Sequence, residues 1–439
     1  VFENSDPTFY SFPSQAIDLQ RGCCYAYEVW VRTEGLSGDD SGATVCMEWY
    51  DGNRYLGGAY AEGVRGTSKG WQRVHGFTRV IPTHATRVSI APYVRRGMTG
   101  KAWFDDLKVT RHVPPLVRAV SISSYRHVAA DGPVSIHAVL ALDESGVEPS
   151  EVTGLFSVET SDGQTVMRSQ PSTLDARHAA CTLDARTLPV GVYTVRFTLN
   201  TRDRVPSGSA QTYFLRVETL PARRVFIDGH RRLIVDGQPF FPLGMYWSGI
   251  KEKDLDLYAK GPFNCLMPYG SPTTNQMDAC QARGLKVIYS IKDFYSGTHW
   301  APAHMKTEAD EKAEIQRRVA LHGKHPALIA WYINDELPLE MADRLAARQR
   351  LMEKLDPDHP TWVVLYQHDQ VDAYLPTFDV IGTDPYPVPD KPVGTALQWT
   401  RNTRDLTFDT RAVWQVPQVF DWGAYRKDAA REKARAPTL

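Results

Sequence analysis

The stretch Ala330–Pro338, AWYINDELP, ends an apolar run on an amide and two adjacent acids, and a proline follows. A continuous apolar run without polar alternation is typical of a strand that is covered on both faces of a sheet. Pro338 has no backbone N–H, so the strand cannot continue in the sheet beyond it. The run therefore predicts a buried strand whose carboxyl end presents Asn334, Asp335 and Glu336.

Similar apolar runs lie on both sides of this stretch and alternate with helical segments. The strand-like runs are FFPLGMYW, FNCLMPY, LKVIYSIKD, ALIAWYIND, TWVVLYQ, FDVIGTDPYP and AVWQVPQVFD. Helical stretches such as TEADEKAEIQRRVALHG and LEMADRLAARQRLMEKLDP lie between them. This alternation predicts a parallel sheet and, at seven strands, a (β/α)8 TIM barrel over residues 221–439.

The predicted barrel lacks its eighth strand. After the seventh strand the chain has a predicted helix start, YRKDAAREKARAPTL, which runs to residue 439. Because a seven-stranded barrel would leave strand edges unpaired, we expect the eighth strand either beyond residue 439 or from a further polypeptide that completes the barrel.

Two β-rich segments precede the predicted barrel. Residues 1–113 alternate apolar and polar side chains in short runs between Gly, Asn and Asp turns, which is typical of a β-sandwich. Residues 114–220 begin at a Pro-Pro linker and carry the runs VSIHAVLAL, TGLFSVETSDG and VGVYTVRFTLN. These runs predict an immunoglobulin-like β-sandwich that serves as a spacer. The chain is therefore predicted to be multidomain.

The first segment resembles the jelly-roll carbohydrate-binding modules of the family 4 and 9 type, on YEVWVRTEG, MEWYDGNRYLGG, GWQRV and TGKAWFDDLKV. The resemblance implies a sugar-binding sandwich with a structural Ca²⁺ that is held by an acid near the last strand. The matching oxygens here belong to Glu3 and to Asp105 or Asp106. The alternative is that these paired acids are residues of a solvated turn.

Charge and hydropathy restrict the partners. The chain has 50 basic and 51 acidic residues, which gives no electrostatic argument for nucleic acid or an anionic membrane as a partner. It has no apolar run of about eighteen residues, so no transmembrane segment is predicted. Its first residues have no signal-peptide pattern, so any export signal has been removed or lies outside the numbered chain. We expect a secreted or cell-surface protein.

The carboxyl ends of barrel strands form the active-site face of such folds. In this chain the predicted strand ends carry aromatic rings beside acids and amides. This combination is typical of a saccharide cleft, because sugar faces stack on rings and hydroxyl groups need polar partners. The candidate substrate-binding residues are Asn334, Tyr246, Trp247, Tyr269, Asp293, His299, Trp300, Tyr366, Tyr386, Gln418 and Trp422. A carbohydrate is the predicted substrate.

The domain order and the entry strand FFPLGMYW resemble the clan A glycoside hydrolases, particularly family 2 and its relatives. In that clan an Asn-Glu pair ends strand four, and its Glu is the general acid/base. Glu336 is the matching residue, although Asp335 is inserted after Asn334. The clan's nucleophile is a Glu that ends strand seven, where this chain has Gln418. An amide cannot form the covalent glycosyl intermediate, so the double-displacement mechanism does not carry over directly.

Three alternatives follow from the amide at position 418. Asp421 or Asp384 supplies the missing carboxylate. Alternatively, the Asp335–Glu336 pair resembles the Asp-Glu pair of family 20 and 123 hexosaminidases, in which the 2-acetamido group of the substrate is the nucleophile. The resemblance implies that Glu336 is the acid, that Asp335 orients the acetamido group and that Tyr386 holds the acetamido oxygen. In the third alternative the barrel is degenerate, and the protein is a glycan-binding or cell-surface scaffold.

Acid chemistry at Glu336 is physically consistent with the neighbouring Asp335. Two close carboxylates resist joint ionisation, so one pKa rises and a proton is retained near neutral pH. No catalytic cofactor is expected, because no pair of histidines has the spacing of metal ligands on a helix.

Overall fold

The computed structural model describes residues 1–38, 40–201 and 208–422. In this part of the chain the strands form six sheets. Five of them come first in the sequence, and the sixth is a seven-stranded parallel sheet. Separate hydrophobic cores lie within the segments before residue 113, between 116 and 214, and beyond 225. The predicted multidomain, β-rich organisation is confirmed. The domain boundaries stay predictions.

Residues 2–112, the first sandwich, form two four-stranded antiparallel sheets around one core. The strands are β1 (Phe2–Asn4), β2 (Gln15–Ala16), β3 (Cys24–Ser37), β4 (Ala43–Asp51), β5 (Arg54–Tyr60), β6 (Gln72–Phe77), β7 (Arg87–Val94) and β8 (Thr99–His112). Their order is β1-β8-β3-β6 in one sheet and β2-β7-β4-β5 in the other. Val29 and Val31 of β3 are fully buried while Trp30 between them is exposed, as the period-two pattern predicts.

Residues 117–216, the second sandwich, contain a four-stranded and a five-stranded sheet. The strands are β9 (Val117–Ile122), β10 (Val128–Ala129), β11 (Pro133–Leu140), β12 (Val152–Thr160), β13 (Thr165–Ser169), β14 (Thr173–Leu174), β15 (His178–Asp184), β16 (Gly191–Thr201) and β17 (Gly208–Arg216), with a short helix α1 (Leu142–Ser145). Their order is β14-β15-β11-β9 in one sheet and β10-β17-β16-β12-β13 in the other.

A small antiparallel sheet follows: β18 (Val225–Ile227), β19 (Leu233–Val235) and β20 (Gln238–Phe240). A turn at Asp236 and Gly237, both with positive φ, joins β19 to β20, as the Asp-Gly sequence indicates. Val225 and Leu233 pack in one core with residues of the parallel sheet such as Trp362. The small sheet therefore fills part of the space that the parallel sheet encloses.

The parallel sheet has seven strands in sequence order. They are β21 (Gly244–Trp247), β22 (Cys265–Pro268), β23 (Lys286–Ser290), β24 (Leu328–Asp335), β25 (Thr361–Leu365), β26 (Val380–Thr383) and β27 (Ala412–Val413). The helices are α2 (Glu252–Ala259), α3 (Thr274–Gln281), α4 (Glu308–His322), α5 (Ala342–Leu355) and α6 (Gly394–Leu406). The predicted alternation of seven parallel strands with helices is confirmed, and it fits an incomplete TIM barrel.

The barrel is not closed within residues 208–422, because β21 and β27 are the two edges of the sheet there. The helix predicted from YRKDAAREKARAPTL lies outside the described residues. The eighth strand and its source stay predictions. No helix in the described part of the chain is both long enough and apolar enough to cross a membrane.

The two faces of β24 show why its sequence is apolar throughout. Trp331 packs with Tyr289 in the core beneath the helices, and its indole N–H donates to Asp356 Oδ2 at 2.8 Å. The next residue, Tyr332, packs in the other core, with Trp362 and the small sheet. Both faces of the strand are therefore covered, and polar side chains begin only where it ends.

The two sandwiches contact opposite ends of the parallel sheet. Arg79 of the first sandwich forms an ion pair with Asp369, in the loop that follows the carboxyl end of β25. Arg126 of the second sandwich forms an ion pair with Asp379, which immediately precedes β26 at its amino end. Each end of the sheet is thus bordered by a different domain.

Candidate active site

Glu336 directly follows β24 at the carboxyl end of the sheet, as predicted. Its backbone N–H donates to Val364 O at 2.9 Å, and its φ of 57° lies in the left-handed region. A non-glycine residue in this conformation costs about 1–3 kcal/mol, and such residues are concentrated at functional sites. The side chain is solvent-accessible and lines a cavity of about 180 Å³, which we call the rim cavity.

The rim cavity combines carboxyls, rings and one cation. It is lined by Glu336, Tyr366, Asp384, Tyr386, Pro387, Lys391, Thr395 and Trp399. The sequence predicted the residues that end β24, β25 and β26, namely Glu336, Tyr366, Asp384 and Tyr386. It missed Lys391, Thr395 and Trp399, which lie in or just before α6. A tryptophan inside a helical pattern is usually a packing residue, so only its position after an acid-bearing strand could have indicated the site.

The carboxyls of Glu336 and Asp384 lie close enough to each other to interact directly. Burial, followed by the adjacent Glu336 carboxyl, raises the pKa of Asp384 to about 9. The pKa of Glu336 is also raised, chiefly because surrounding protein atoms desolvate it and then because of the charge of Asp335. Two carboxyls in contact cannot both ionise readily, so the pair retains one proton at neutral pH.

Asp335 lies beside this pair but is engaged differently. The Tyr332 hydroxyl donates to Asp335 Oδ1 at 2.6 Å, and the Lys292 ammonium lies 3.2 Å from Oδ2. Lys292 is buried and also contacts Asp293 Oδ1 at 2.8 Å. Asp335 is therefore held by a buried cation and a phenol, with a partner on each of its oxygens.

Two predicted aromatic residues adjoin the Lys292–Asp335 group. Tyr246 packs edge-on against Tyr269 at 5.5 Å between ring centroids, and the Lys292 ammonium lies 4.5 Å from the centroid of the Tyr269 ring. Trp247, the next residue, packs on Tyr258 of α2 at 4.9 Å instead. The structure thus brings Tyr246 and Tyr269 to the carboxyl end and places Trp247 in the layer between sheet and helix.

Gln418 is buried and its amide is bonded to backbone. Its Nε2 donates to Val388 O at 2.9 Å and to Phe420 O at 3.0 Å, and its Oε1 accepts from Val388 N at 2.9 Å. These bonds tie the segment after β27 to the loop after β26. Asn334 is bonded similarly, since its Oδ1 accepts from Leu337 N at 3.1 Å while its buried Nδ2 has no partner within the described residues.

The segment after Gln418 packs on Tyr386. The ring of Tyr386 contacts Phe420 at 4.9 Å and Trp422 at 6.2 Å between centroids. Asp421 lies between these two rings in sequence and is partly buried. Trp422 is therefore positioned near the rim cavity through Tyr386.

The first sandwich borders the carboxyl end of the sheet. Arg65 hydrogen-bonds to His299, and Trp300 packs edge-on against His299 at 4.3 Å while 71% of its surface stays exposed. The Phe77 backbone N–H donates to Glu340 Oε1 at 3.1 Å. His299 thus contacts a neighbouring domain rather than the rim cavity.

The residues predicted to hold Ca²⁺ do not gather into a site. The Glu3 carboxylate pairs with Lys101 Nζ at 3.1 Å, and Glu3 is opposite Lys101 in the β1–β8 register. Asp105 lies four residues further along β8, about 13 Å away at the usual rise of a strand. Within the described residues no group of three His, Cys, Asp or Glu side chains is placed to hold a metal. The calcium site stays a prediction.

No family model matches the sequence, and no curated protein matches it. Solved structures similar to this chain include a glycosyl hydrolase family 2 member from Bacteroides cellulosilyticus (16% identity, 93% of this chain and 56% of that chain, TM-score 0.36). Others are a putative beta-galactosidase from Bacteroides fragilis (14%, 92% and 63%, 0.36) and a GH2 beta-galacturonidase from Eisenbergiella tayi bound to galacturonate (13%, 92% and 73%, 0.38).

The chain thus spans 56% and 63% of the length of the first two of these proteins. Similarity with TM-scores below 0.4 is too low to support an argument about activity. The function is therefore argued from the geometry of the site.

Proposed function

We propose that this protein is a glycoside hydrolase in which Glu336 donates a proton to the departing glycosidic oxygen. One observation supports this most strongly: the Glu336–Asp384 pair lines a solvent-accessible cavity and retains a proton at neutral pH. A general acid must be protonated at the working pH and reach the leaving atom, and the pair meets both requirements. The rings of Tyr366, Tyr386 and Trp399 in the same cavity suit the faces of a sugar.

Contact between the two carboxyls restricts the mechanism. A retaining pair is about 5–5.5 Å apart and an inverting pair about 6.5–9.5 Å, because a sugar or a water must fit between them. Carboxyls that share a proton are closer than either, so Asp384 is proposed to raise the proton affinity of its pair with Glu336 rather than to act as a nucleophile or base. Gln418 cannot act as a nucleophile. The nucleophile is therefore proposed to come from the substrate.

A substrate with a 2-acetamido group supplies such a nucleophile. Its carbonyl oxygen attacks the anomeric carbon as the glycosidic C–O bond breaks and the proton of Glu336 passes to the leaving oxygen. Water then opens the resulting ring. Burial and the nearby carboxyls raise the pKa of Tyr386, so its hydroxyl stays protonated and can donate to the acetamido oxygen. Asp335 is proposed to hold the Lys292 ammonium group in place and to balance its charge.

The accessory domains are proposed to serve glycan binding outside the cell. The strand order of the first sandwich, β1-β8-β3-β6 over β2-β7-β4-β5, supports a jelly roll of eight strands in two Greek keys. The order of the second, with β10 parallel to β17, supports an immunoglobulin-like sandwich. Tyr55 and Tyr60 on the first sandwich are exposed and bonded to each other at 3.0 Å, which suits a sugar-stacking surface.

Aryl glycosides with and without a 2-acetamido group test the proposal. We expect the wild-type protein to cleave the 2-acetamido substrates only. Glu336→Gln should lose a factor on the order of 10²–10⁴ in kcat. The matched control is Glu340→Gln, an exposed residue four positions away whose amide can still accept from Phe77 N. Equal cleavage of 2-hydroxy glycosides would remove the substrate-assisted mechanism while leaving the general acid in place.

A second candidate function is a non-catalytic glycan-binding scaffold. The observation that favours it is Gln418, whose amide occupies the position of a nucleophile and is bonded to backbone on both sides. Binding of glycans without cleavage of any aryl glycoside, together with equal binding by Glu336→Gln, would support this candidate over the enzyme.

A further inference from the structure

A larger cavity, of about 340 Å³, lies at the amino end of the parallel sheet, against the second sandwich. We call it the interface cavity. The residues that line it include Arg126, Tyr213, Arg231, Glu353, Asp379 and Arg411. Arg126 and Tyr213 come from the second sandwich, and the others from the small sheet, α5 and the residues that precede β26 and β27. The cavity is therefore built by two domains and is remote from Glu336.

Arg126 is the best-buried charge in this cavity. The residue is 6% exposed, and one guanidinium nitrogen, Nη2, contacts both Asp379 Oδ2 at 3.0 Å and His359 O at 2.7 Å. Its Nε and Nη1 are buried and have no hydrogen-bond partner within the described residues. The Ser124 hydroxyl, which also lines the cavity, is buried and unpartnered in the same way. Two donor groups of a buried cation therefore lack an acceptor.

Arg411 and Arg231 add positive charge without carboxylate partners. Arg411 Nε donates to Phe378 O at 3.0 Å, and Arg231 Nε donates to Asp409 O at 2.6 Å. Neither guanidinium forms an ion pair with an acid within the part of the chain that the structure describes. Burial lowers the pKa of both side chains, as expected for cations that are poorly compensated.

The acids of the cavity do not balance these arginines. Asp379 is the partner of Arg126 and also accepts from Thr361 N at 2.9 Å. Glu353 accepts from Gln349 Nε2 at 3.1 Å and from the Tyr213 hydroxyl at 3.3 Å. It lines the cavity with Arg231 and Arg411 and has no arginine partner of its own within the described residues. Of the remaining acids, Asp228 pairs with Arg232 at 2.7 Å and Asp343 is exposed at the rim beside the exposed Arg350.

We propose that the interface cavity binds a small oxyanion of the phosphate or sulfate class. The buried Arg126 and the half-buried Arg231 and Arg411 line a space much larger than the roughly 30 Å³ of a water molecule. Arg126 has a carboxylate partner, whereas Arg231 and Arg411 have none within the described residues. An oxyanion would supply negative charge to these two and acceptors to Arg126 Nε and Nη1. The bound ion would join the second sandwich to the parallel sheet and stabilise the folded chain.

Calorimetric titration of the full chain with inorganic phosphate, at constant ionic strength maintained with sodium chloride, tests this proposal. We expect saturable binding, and a thermal midpoint that rises with phosphate but not with chloride. Arg231→Gln should weaken phosphate binding on the order of tenfold, because it removes one nearby charge. Glu353→Gln should tighten it severalfold, because it removes a carboxyl that competes with the anion.

The control variant is Arg186→Gln, on an exposed ion pair of the second sandwich. It should bind phosphate like the wild type. Phosphate that raises the midpoint no more than chloride does, or Glu353→Gln that binds no tighter than Arg186→Gln, would overturn the proposal. If Arg231→Gln does not fold, the opposite-sign effect of Glu353→Gln still decides. Sulfate in place of phosphate identifies the preferred oxyanion, and none of these results depends on Glu336.

Discussion

The two ends of the parallel sheet differ in the sign of the charge that they concentrate. At the carboxyl end, Glu336 and Asp384 contact each other and Asp335 lies beside them. At the amino end, Arg126 has a carboxylate partner, Asp379, and Arg411 is held by backbone oxygens. Acids can relieve repulsion by keeping a proton, whereas guanidinium groups cannot lose one near neutral pH. The first end is therefore suited to proton transfer and the second to holding an anion.

Arg126→Gln should have the largest effect on stability. It removes the partner of Asp379 in a buried ion pair, so we expect a loss of about 3–5 kcal/mol in the free energy of unfolding. Urea denaturation measures it. A loss below about 1 kcal/mol would mean that the amino end tolerates an unpaired carboxylate and that the contrast between the two ends is weaker than described.

Glu336→Gln should separate activity from stability. The side chain is solvent-accessible and belongs to a pair of like groups, so its removal should leave the free energy of unfolding within about 0.5 kcal/mol or raise it. Activity should nonetheless fall as stated above. A clear loss of stability in urea would mean that Glu336 is a structural residue and would contradict the proposed role.

Asp384→Asn should change the pH dependence of activity. In the wild type the pair loses its last proton only as the pH approaches about 9, so the basic limb of kcat/KM should lie there. With an amide at 384, Glu336 no longer shares a proton and its pKa falls. The basic limb should then move to lower pH by about one unit or more. If the basic limb of kcat/KM lies at the same pH in the wild type and in Asp384→Asn, the pair does not supply the proton.

Asp384→Asn should also remove a loss of folding stability that the wild-type protein has at higher pH. A carboxyl with a pKa of about 9 when folded and 3.8 as its ordinary value binds its proton more tightly in the folded chain. Stability from this group is complete below pH 4 and declines as the pH rises towards 9. Asp384→Asn should therefore gain stability relative to the wild type across this range, on the order of 1–3 kcal/mol at its alkaline end. Thermal midpoints at pH 5 and 8.5 measure the difference.

Arg79→Gln should have the smallest effect. The side chains of Arg79 and Asp369 are 47% and 44% exposed, so this ion pair contributes less than about 1 kcal/mol. Because it joins the first sandwich to the loop beside Tyr366, we expect KM to change more than the unfolding midpoint. A change in kcat of tenfold or more would place the first sandwich inside the catalytic site.

The parallel sheet was predictable because burial on both faces produces long apolar runs, as in β24. The strand ends that carry Glu336 and Asp384 could be located from the same runs. Their mutual contact could not, since 48 residues separate them and only the curvature of the sheet brings them together. Trp399 lies on α6, and its helical context gave no sign of a cavity.

Other features depend on partners that sequence spacing does not reveal. The sequence placed Gln418 at the end of the predicted seventh strand, but its bonds to Val388 follow from loop geometry. Arg126 and Arg411 are 285 residues apart and lie in different domains, so the interface cavity had no sequence signal. Charged residues in a sequence usually indicate a solvated surface, whereas Arg126 is buried in the structure.

Strand β26 is only four residues long, Val380–Thr383, and every one of them is buried. Asp379 at one end and Asp384 at the other are therefore about 16 Å apart along one short strand. A shift of this strand along its axis would move Asp379 and Asp384 together, and it would link the carboxyl pair of the rim cavity to the ion pair at the amino end of the sheet.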